Sequence, residues 1–252
     1  MNNCYNPYSL ENKLILVTGA SSGIGKAIAI ECSKMGARLV ISARNEERLL
    51  DTYSNLEGEG HKIVVADLSE EEGVDIIVNN IPKEINGIVQ CAGLTIPKPF
   101  HFFSKEDIQN IMGVNFEAPV FLTQRLYKKK KIAKQGSVVF ISSISGVLCS
   151  SVAGSIYSAS KGAINGIAKG LAIEFATKGI RVNCVNPGMI NTNIFSEGTI
   201  SEDQLKEDMK KYPLKRYGMP EEVAHAVIYL LSDASSWTTG ANLVIDGGYT
   251  LL

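Results

Sequence analysis

The sequence is poor in the residue types and spacings that build metal centres and disulfide frameworks. It has three histidines and five cysteines among 252 residues, the histidines are far apart, and no two cysteines form a CxxC pair. Zinc sites and disulfide scaffolds require closely spaced ligands or paired cysteines. We therefore expect no bound metal, and we expect reduced thiols of the kind found in a cytoplasmic protein.

The sequence also lacks an excess of charge of one sign and any apolar run of transmembrane length. Its 25 lysines and arginines nearly balance 26 acidic residues, which argues against nucleic acid as the main partner. The N-terminal stretch MNNCYNPYSL is polar and lacks the apolar segment of a signal peptide. The one obvious run of like charge, the four lysines at 128–131, is typical of a solvated helix end. We expect a cytoplasmic protein that binds neither nucleic acid nor membrane.

Short apolar runs alternate with segments of helical periodicity along the whole chain. Hydrophobic residues make up 45% of the sequence and charged residues 20%, which is enough to bury a large core. Continuous apolar strands that alternate with helices indicate a parallel sheet covered on both faces. We predict one α/β domain over residues 1–252, a Rossmann-type doubly wound sheet of about seven strands with helices on both faces. The predicted strands are 13–18, 37–42, 62–67, 87–92, 137–142, 180–186 and 242–246, and the predicted helices are 23–35, 45–56, 69–80, 104–129, 152–177 and 220–231.

The first predicted strand runs into the glycine-rich stretch TGASSGIG, and a helix begins immediately after it. Unpaired N–H groups and the helix dipole at such a start attract phosphate, and glycine lets the backbone approach it closely. A glycine-rich turn can also serve packing alone, but its position after the first strand of a doubly wound pattern favours a dinucleotide. The predicted contacts are Gly19, Ser21, Ser22, Gly23, Ile24 and Gly25.

The end of the second predicted strand, ISARNEERL, indicates which dinucleotide binds. A cofactor with free ribose hydroxyls usually meets a carboxylate here, whereas this chain has Ala43 and Arg44. Arg44 can bind a 2′-phosphate through two hydrogen bonds, although it could instead cap a surface turn. We therefore predict NADP(H) in preference to NAD(H), with Asp67 and Leu68 beside the adenine.

The stretch GSIYSASKGAI places Tyr157 and Lys161 four residues apart, on one face of a predicted helix. Taken alone, such a pair is typical of a tyrosine packed on a lysine stem at the protein surface. It also suits proton exchange, because a positive charge one turn away favours the ionised form of a phenol. Other motifs in the chain distinguish between these two interpretations.

Several motifs occur in an order that resembles the short-chain dehydrogenase/reductase family, in its single-domain branch. They are TGASSGIG, DLS, CAG, GVN, ISS, YSASK, NPGMINT and GANLVIDGGY. The resemblance covers about residues 12–252, and within the family the chain looks most like the 3-oxoacyl-acyl-carrier-protein reductases of fatty acid biosynthesis. It implies an enzyme that transfers hydride between a nicotinamide and a carbonyl or secondary alcohol.

The resemblance also implies a role for each of four polar residues. Ser143 resembles the serine that hydrogen-bonds the substrate oxygen, with Ser142 as the alternative, and Tyr157 resembles the acid–base residue. Lys161 resembles the lysine that binds the nicotinamide ribose and favours the ionised tyrosine. Asn115 resembles the asparagine that positions a water for proton relay. With all four present, the surface-pair interpretation becomes the weaker one.

Further cofactor contacts follow from the same resemblance. The expected residues are Cys91, Ala92, Gly93, Pro187, Gly188, Ile190 and Thr192, together with Tyr157 and Lys161. The chain departs from the family pattern where Gln90-Cys91 replaces Asn-Asn, and where one extra residue separates Ser143 from Tyr157.

The resemblance leaves the substrate open between a 3-oxoacyl thioester, a sugar, a steroid and a small ketone, and a cofactor-sensing protein without catalysis is a further alternative. Specificity is expected from a lid at about residues 191–215 and from the loop after Ser143. The expected pocket residues are Leu148, Val152, Ile194 and Phe195, and less strongly Ile96 and Met189. An acyl-carrier protein would bind lysines near the site mouth, for which lysines 128–131, Lys134 and Lys178 are available. The usual assembly of the family implies a homotetramer.

Overall fold

A computed structural model describes residues 5–192 and 202–252, and these residues form a seven-stranded sheet whose strand pairs are all parallel. The strand order is β3-β2-β1-β4-β5-β6-β7, which confirms the predicted doubly wound α/β fold. The strands are β1 Leu14–Thr18, β2 Arg38–Ala43, β3 Lys62–Val65, β4 Ile85–Gln90, β5 Ile132–Ile141, β6 Arg181–Pro187 and β7 Asn242–Ile245. The strand predicted at 137–142 begins earlier, because Ile132 already pairs with Ile85 ahead of a register shift.

The helices alternate with the strands, as the periodicity predicts. They are α1 Gly23–Lys34, α2 Glu46–Ser54, α3 Glu71–Asn80, α4 Lys105–Met112, α5 Ala118–Lys128, α6 Ser155–Phe175, α7 Glu202–Met209 and α8 Pro220–Leu231. The helix predicted over 104–129 is interrupted by a π-helical turn at Gly113–Glu117. Pro119 follows that turn and has no N–H to donate to the carbonyl of Asn115, which favours the widened turn.

The sheet is buried on both faces, and alternate side chains of each strand enter different cores. In β1, Ile15 and Val17 pack with Ile28 of α1 and Val227 of α8. Leu16 faces the other way, into the core formed with α3, α5 and α6. No helix in the described ranges is long and apolar enough to cross a membrane.

The strand order reverses its direction of winding between β1 and β4, and this reversal indicates where a ligand binds. In such sheets ligands bind outside the carboxyl ends of the strands, at the point of reversal. The glycine-rich turn follows the carboxyl end of β1, and Ser143 lies just beyond the carboxyl end of β5.

The lysines at 128–131 lie at the amino ends of the strands, on the side of the sheet opposite to the site. They end α5 and lead into the amino end of β5, whose 10 residues separate them from Ser143. The pairing of β5 with β4 runs from Ile132 opposite Ile85 to Phe140 opposite Gln90, which is a length of about 17 Å. The expectation that these lysines lie near the site mouth and bind a carrier protein there is therefore wrong. Lys134 and Lys178 also lie at the amino ends of the strands, because Lys134 is near the start of β5 and Lys178 just precedes β6.

Candidate active site

The glycine-rich turn is shaped by contacts that leave no room for side chains. Gly19 has φ +67°, and a Cβ there would lie 2.8 Å from the backbone of Ala92. A Cβ on Gly25 would lie 2.2 Å from the carbonyl oxygen of Gly19. The side chain of Ser22 does not cap α1, and the first turn of the helix carries no acidic residue. The uncapped N–H groups and the absence of acid suit an anion such as a pyrophosphate.

Buried threonine hydroxyl groups stabilise this turn through hydrogen bonds to the backbone. The Thr18 hydroxyl accepts hydrogen bonds from the N–H groups of Cys91 (3.1 Å) and Ala92 (3.2 Å), which joins the ends of β1 and β4. The hydroxyl of Thr52, on α2, donates to the carbonyl of Ala20 at 2.9 Å. Sequence reasoning missed Thr52, because a single threonine in an amphipathic helix carries no local signal of this contact.

Replacing Thr52 with valine should weaken cofactor binding, because the Ala20 carbonyl would lose a buried donor. The loss of one such hydrogen bond costs about 1 kcal/mol, which corresponds to about a fivefold rise in Kd. Titration of NADPH by fluorescence measures the change. Thr52→Ser keeps the hydroxyl and should bind almost as wild type does; equal affinities for all three proteins would contradict a role for this hydroxyl.

Arg44 and Asp67 lie at the carboxyl ends of β2 and β3. Asp67 accepts hydrogen bonds from the N–H (2.9 Å) and hydroxyl (2.7 Å) of Ser69. Partial burial by itself raises the pKa of the Asp67 carboxyl. The Ser69 hydrogen bonds and the charge of Arg44 together outweigh that effect, so the pKa lies below its usual value. Arg44 is exposed and close enough for its charge to act on Asp67. The two predicted cofactor residues therefore lie near each other at the carboxyl ends of the strands.

The segment after β6 reaches back to the glycine-rich turn. A Cβ on Gly23 would lie 3.2 Å from the γ-methyl of Thr192. Pro187 accepts a hydrogen bond from the N–H of Ile144, and the N–H of Gly188 donates to the carbonyl of Ile245 at 2.9 Å. The predicted cofactor residues of β1 and β6 are thus brought together from the two halves of the sheet.

Lys161 is almost fully buried, and its ammonium group is directed at the end of β5. Only 6% of the residue is exposed, and Nζ donates to the carbonyl of Ile141 at 2.9 Å. Nζ lies 5.8 Å from the centre of the Tyr157 ring. A surface pair would leave the ammonium in water, so this geometry argues against the surface-pair interpretation.

The two serines after β5 differ in how their hydroxyl groups are used. The Ser142 hydroxyl donates to the carbonyl of Lys161 at 3.0 Å and accepts a bond from the Asn165 amide, so it is committed to holding α6. The Ser143 hydroxyl accepts a bond from the N–H of Ser145 at 3.1 Å, which leaves its own hydrogen for another acceptor. This difference favours Ser143 over Ser142 as the donor to a substrate.

Asn115, in the π-helical turn, joins the loop after β4 to α6. Its amide pairs with the N–H (2.8 Å) and carbonyl (2.9 Å) of Leu94 and donates to the Ser160 hydroxyl at 3.0 Å. A Cβ on Gly93 would lie 3.3 Å from Asn115 Oδ1 and 3.5 Å from Lys161 Nζ. Both hydrogens of the side-chain amide are engaged, so the side chain could hold a relayed water only through the second lone pair of Oδ1.

Gln90 and Cys91, which stand where the family pattern has two asparagines, are both held by contacts within the core. Gln90 is buried, and its amide donates to the Thr123 hydroxyl at 3.3 Å, which ties β4 to α5. Burial raises the pKa of the Cys91 thiol to about 12, and the charge of Lys161 lowers it to a smaller extent. The thiol is therefore neutral at physiological pH, and it packs beside apolar core side chains.

The predicted substrate region is described in part. Leu148 and Val152, on the loop between Ser143 and α6, are 53% and 96% exposed, and Met189 is 43% exposed. Ile96 is partly buried. Ile194 and Phe195 lie outside the described residues, as do all of residues 193–201 of the lid predicted at 191–215. The described part of that segment contains α7.

Fold and site together define the class of protein. A doubly wound parallel sheet, an uncapped glycine-rich helix start at its reversal point, and a buried lysine beside a tyrosine are the parts of a nicotinamide-dependent oxidoreductase. The residues present suit a dinucleotide, because the close backbone contacts at Gly19 and Gly25 admit only glycine and the uncapped N–H groups of α1 remain for its phosphates.

Comparison with known proteins identifies the family. The family model described as Enoyl-(Acyl carrier protein) reductase matches residues 19–250. The chain is 35% identical over 243 residues to a 3-oxoacyl-[acyl-carrier-protein] reductase of Rickettsia felis, with 96% of this chain and 99% of that protein covered. It is 34% identical over 250 residues to a tropinone reductase homologue of Arabidopsis thaliana, covering 97% and 94%. The chain belongs to the short-chain dehydrogenase/reductase family, and is an oxidoreductase that acts on CH–OH groups with NAD(P).

A solved structure supports the same conclusion. A protein of Agrobacterium tumefaciens, provisionally assigned as a 2-deoxy-D-gluconate 3-dehydrogenase and solved with bound NADP, superimposes with a TM-score of 0.87 at 31% identity. The match covers 98% of this chain and 100% of that one. The relatives' different substrates mean that the family alone does not define the substrate here.

Proposed function

We propose that this protein is an NADP(H)-dependent carbonyl reductase, and that Asn115, Ser143, Tyr157 and Lys161 form its catalytic site. The observation that carries the proposal is the buried ammonium of Lys161, held on Ile141 and set 5.8 Å from the Tyr157 ring. All four residues are present, which argues against a cofactor-sensing protein that has lost catalysis.

The proposed mechanism divides the work between the cofactor and the chain. The bound nicotinamide supplies or accepts the hydride. In reduction, the Ser143 hydroxyl donates a hydrogen bond to the substrate carbonyl oxygen, and Tyr157 transfers its phenolic proton to that oxygen. Lys161 stabilises the phenolate that remains, because opposite charges at short range favour the ionised form. In oxidation the same groups act in reverse, with Tyr157 as the base.

Arg44 supports the choice of NADP(H), since it directly follows β2, whose last residue is Ala43 and not a carboxylate. Arg44→Ala should raise the Kd of NADPH by about tenfold or more, because a charge-assisted hydrogen bond is lost, and leave the Kd of NADH nearly unchanged. Arg48→Ala, one turn further on the exposed face of α2, is the matched control. Tighter binding of NADH than of NADPH by the wild type would overturn the cofactor assignment.

For the substrate we propose a 3-oxoacyl thioester, with a sugar, a steroid or a small ketone as the alternatives. The exposed apolar side chains of Leu148 and Val152, on the loop that joins Ser143 to α6, favour an apolar chain over a polyol. An NADPH-oxidation screen should give the highest kcat/KM with 3-oxoacyl thioesters and little turnover of ketoses. Preferential turnover of a ketose would replace this assignment with the sugar alternative.

The family resemblance supports a homotetramer and a cytoplasmic location. Ile173 of α6 and Trp237 are 78% and 99% exposed in the single chain, and β7 is an edge strand, so apolar and hydrogen-bonding surface remains for other copies. The four cysteines in the described ranges are free thiols, as a reducing compartment requires. Light scattering after size-exclusion chromatography should give four times the mass of the chain.

A further inference from the structure

The loop after β4 contains the stretch Pro97-Lys98-Pro99, which is both rigid and poor in donors. Each proline fixes its own φ and has no N–H. Lys98 therefore supplies the only backbone N–H of these three residues. A segment of this kind can present a single donor from a fixed position.

The Lys98 N–H donates to the carbonyl of Ala153 at 3.1 Å. Ala153 has φ +64° and lies two residues before α6, whose third residue is Tyr157. A left-handed alanine is unfavourable by itself, so its neighbours have to hold it in place. This hydrogen bond joins the loop after β4 to the loop that connects Ser143 with Tyr157.

The other end of Lys98 is also anchored. Its Nζ lies 2.5 Å from Asp107, with the two side chains 32% and 18% exposed. Asp107 in turn accepts bonds from the N–H and hydroxyl of Ser104, and its own N–H donates to the Ser104 hydroxyl oxygen, which completes the capping box of α4. The hydrogen bond from Lys98 is the main cause that lowers the pKa of Asp107 to about 2, so the carboxylate is ionised at any working pH.

We propose that Lys98 is a positioning residue for substrate binding: it ties the loop of residues 144–154 to α4 and so sets the shape of the substrate cleft beside Ser143 and Tyr157. This rests on the proposed reductase function. Because α4 leads directly into the turn that carries Asn115, Lys98 connects both sides of the site. It touches neither the reacting atoms nor the cofactor in this assignment, so its effect falls on KM and substrate preference.

Variants of Lys98 separate its two contacts. Lys98→Met removes the ammonium and keeps the N–H, Lys98→Pro removes both, and Lys98→Arg restores the ion pair. We expect KM for the best carbonyl substrate to rise about tenfold in Lys98→Met and further in Lys98→Pro, each hydrogen bond contributing on that order, with kcat changed less than twofold. Lys98→Arg should recover most of the loss. Lys105→Met, an exposed lysine at the start of α4, is the matched control.

Hydrogen–deuterium exchange of the peptide over residues 144–158 provides a readout that does not depend on activity. Exchange there should quicken in the order wild type, Lys98→Met, Lys98→Pro, while β1 and α1 stay protected. Unchanged exchange in Lys98→Pro, or equal loss of protection throughout the protein, would overturn the proposal. If no carbonyl compound is turned over, the reductase assignment fails, and the exchange data still decide the role of Lys98.

Discussion

Tyr157→Phe should lower kcat by about three orders of magnitude, the scale of a lost general acid. The ring remains and packs as before, so the change removes only the proton that Tyr157 gives to the substrate oxygen. Lys161 keeps its bond to Ile141, which is independent of the phenol. The Kd of NADPH should therefore change by less than twofold, and single-turnover NADPH oxidation measures the chemical step directly.

The control for this variant is Tyr53→Phe, which removes an exposed hydroxyl from α2. It should leave both kcat and cofactor affinity unchanged. Near-normal turnover by Tyr157→Phe would mean that another group donates the proton and would remove Tyr157 from the acid–base role. A parallel loss of cofactor binding would instead indicate a binding role for the hydroxyl.

Gly146→Ala should abolish most activity through the backbone alone. Gly146 has φ +88°, and a Cβ there would lie 1.9 Å from the carbonyl oxygen of Ser158 and 2.8 Å from the N–H nitrogen of Gly162. Both atoms belong to the backbone of α6, so the loop after Ser143 would have to move away from the helix that carries Tyr157. A displacement of about 1 Å at reacting groups costs about 100-fold in rate, and we expect at least that loss in kcat/KM.

Gly58→Ala separates the cost of the backbone conformation from the cost of the contact. Gly58 has φ +91°, similar to that of Gly146, but the nearest atom to its Cβ would be 3.9 Å away. The left-handed conformation alone costs alanine about 1 to 2 kcal/mol, which lowers Tm by a few degrees in a chain of this size. Gly146→Ala should lower Tm by clearly more than this; an equal shift with normal activity would show that loop and helix can separate without consequence.

The strands and helices were largely predictable because burial on both faces of a parallel sheet produces continuous apolar runs in the sequence. The predicted helix over 220–231 agrees with Pro220–Leu231, and the glycine turn precedes α1 as expected. The break at Gly113–Glu117 was not predicted, because an apolar period continues across it and a π-helical turn adds only one residue to it. The expected position of the lysines at 128–131 is wrong, although the predicted order of a helix at 104–129 and a strand at 137–142 already places them before the amino end of that strand.

The fold class and the family followed from the sequence alone, and so did the four candidate polar residues of the proposed site, since motif order and the spacing of Tyr157 and Lys161 are properties of the chain. The difference between Ser142 and Ser143, which are neighbours in sequence, is visible only in their hydrogen bonds in the folded chain, and it favours Ser143 in the proposed site. The tertiary structure also decided that Lys161 is buried and that Lys98 and Ala153 meet. Such contacts join residues far apart in the chain, and parallel strands and their crossover helices bring them together only when the whole sheet is assembled.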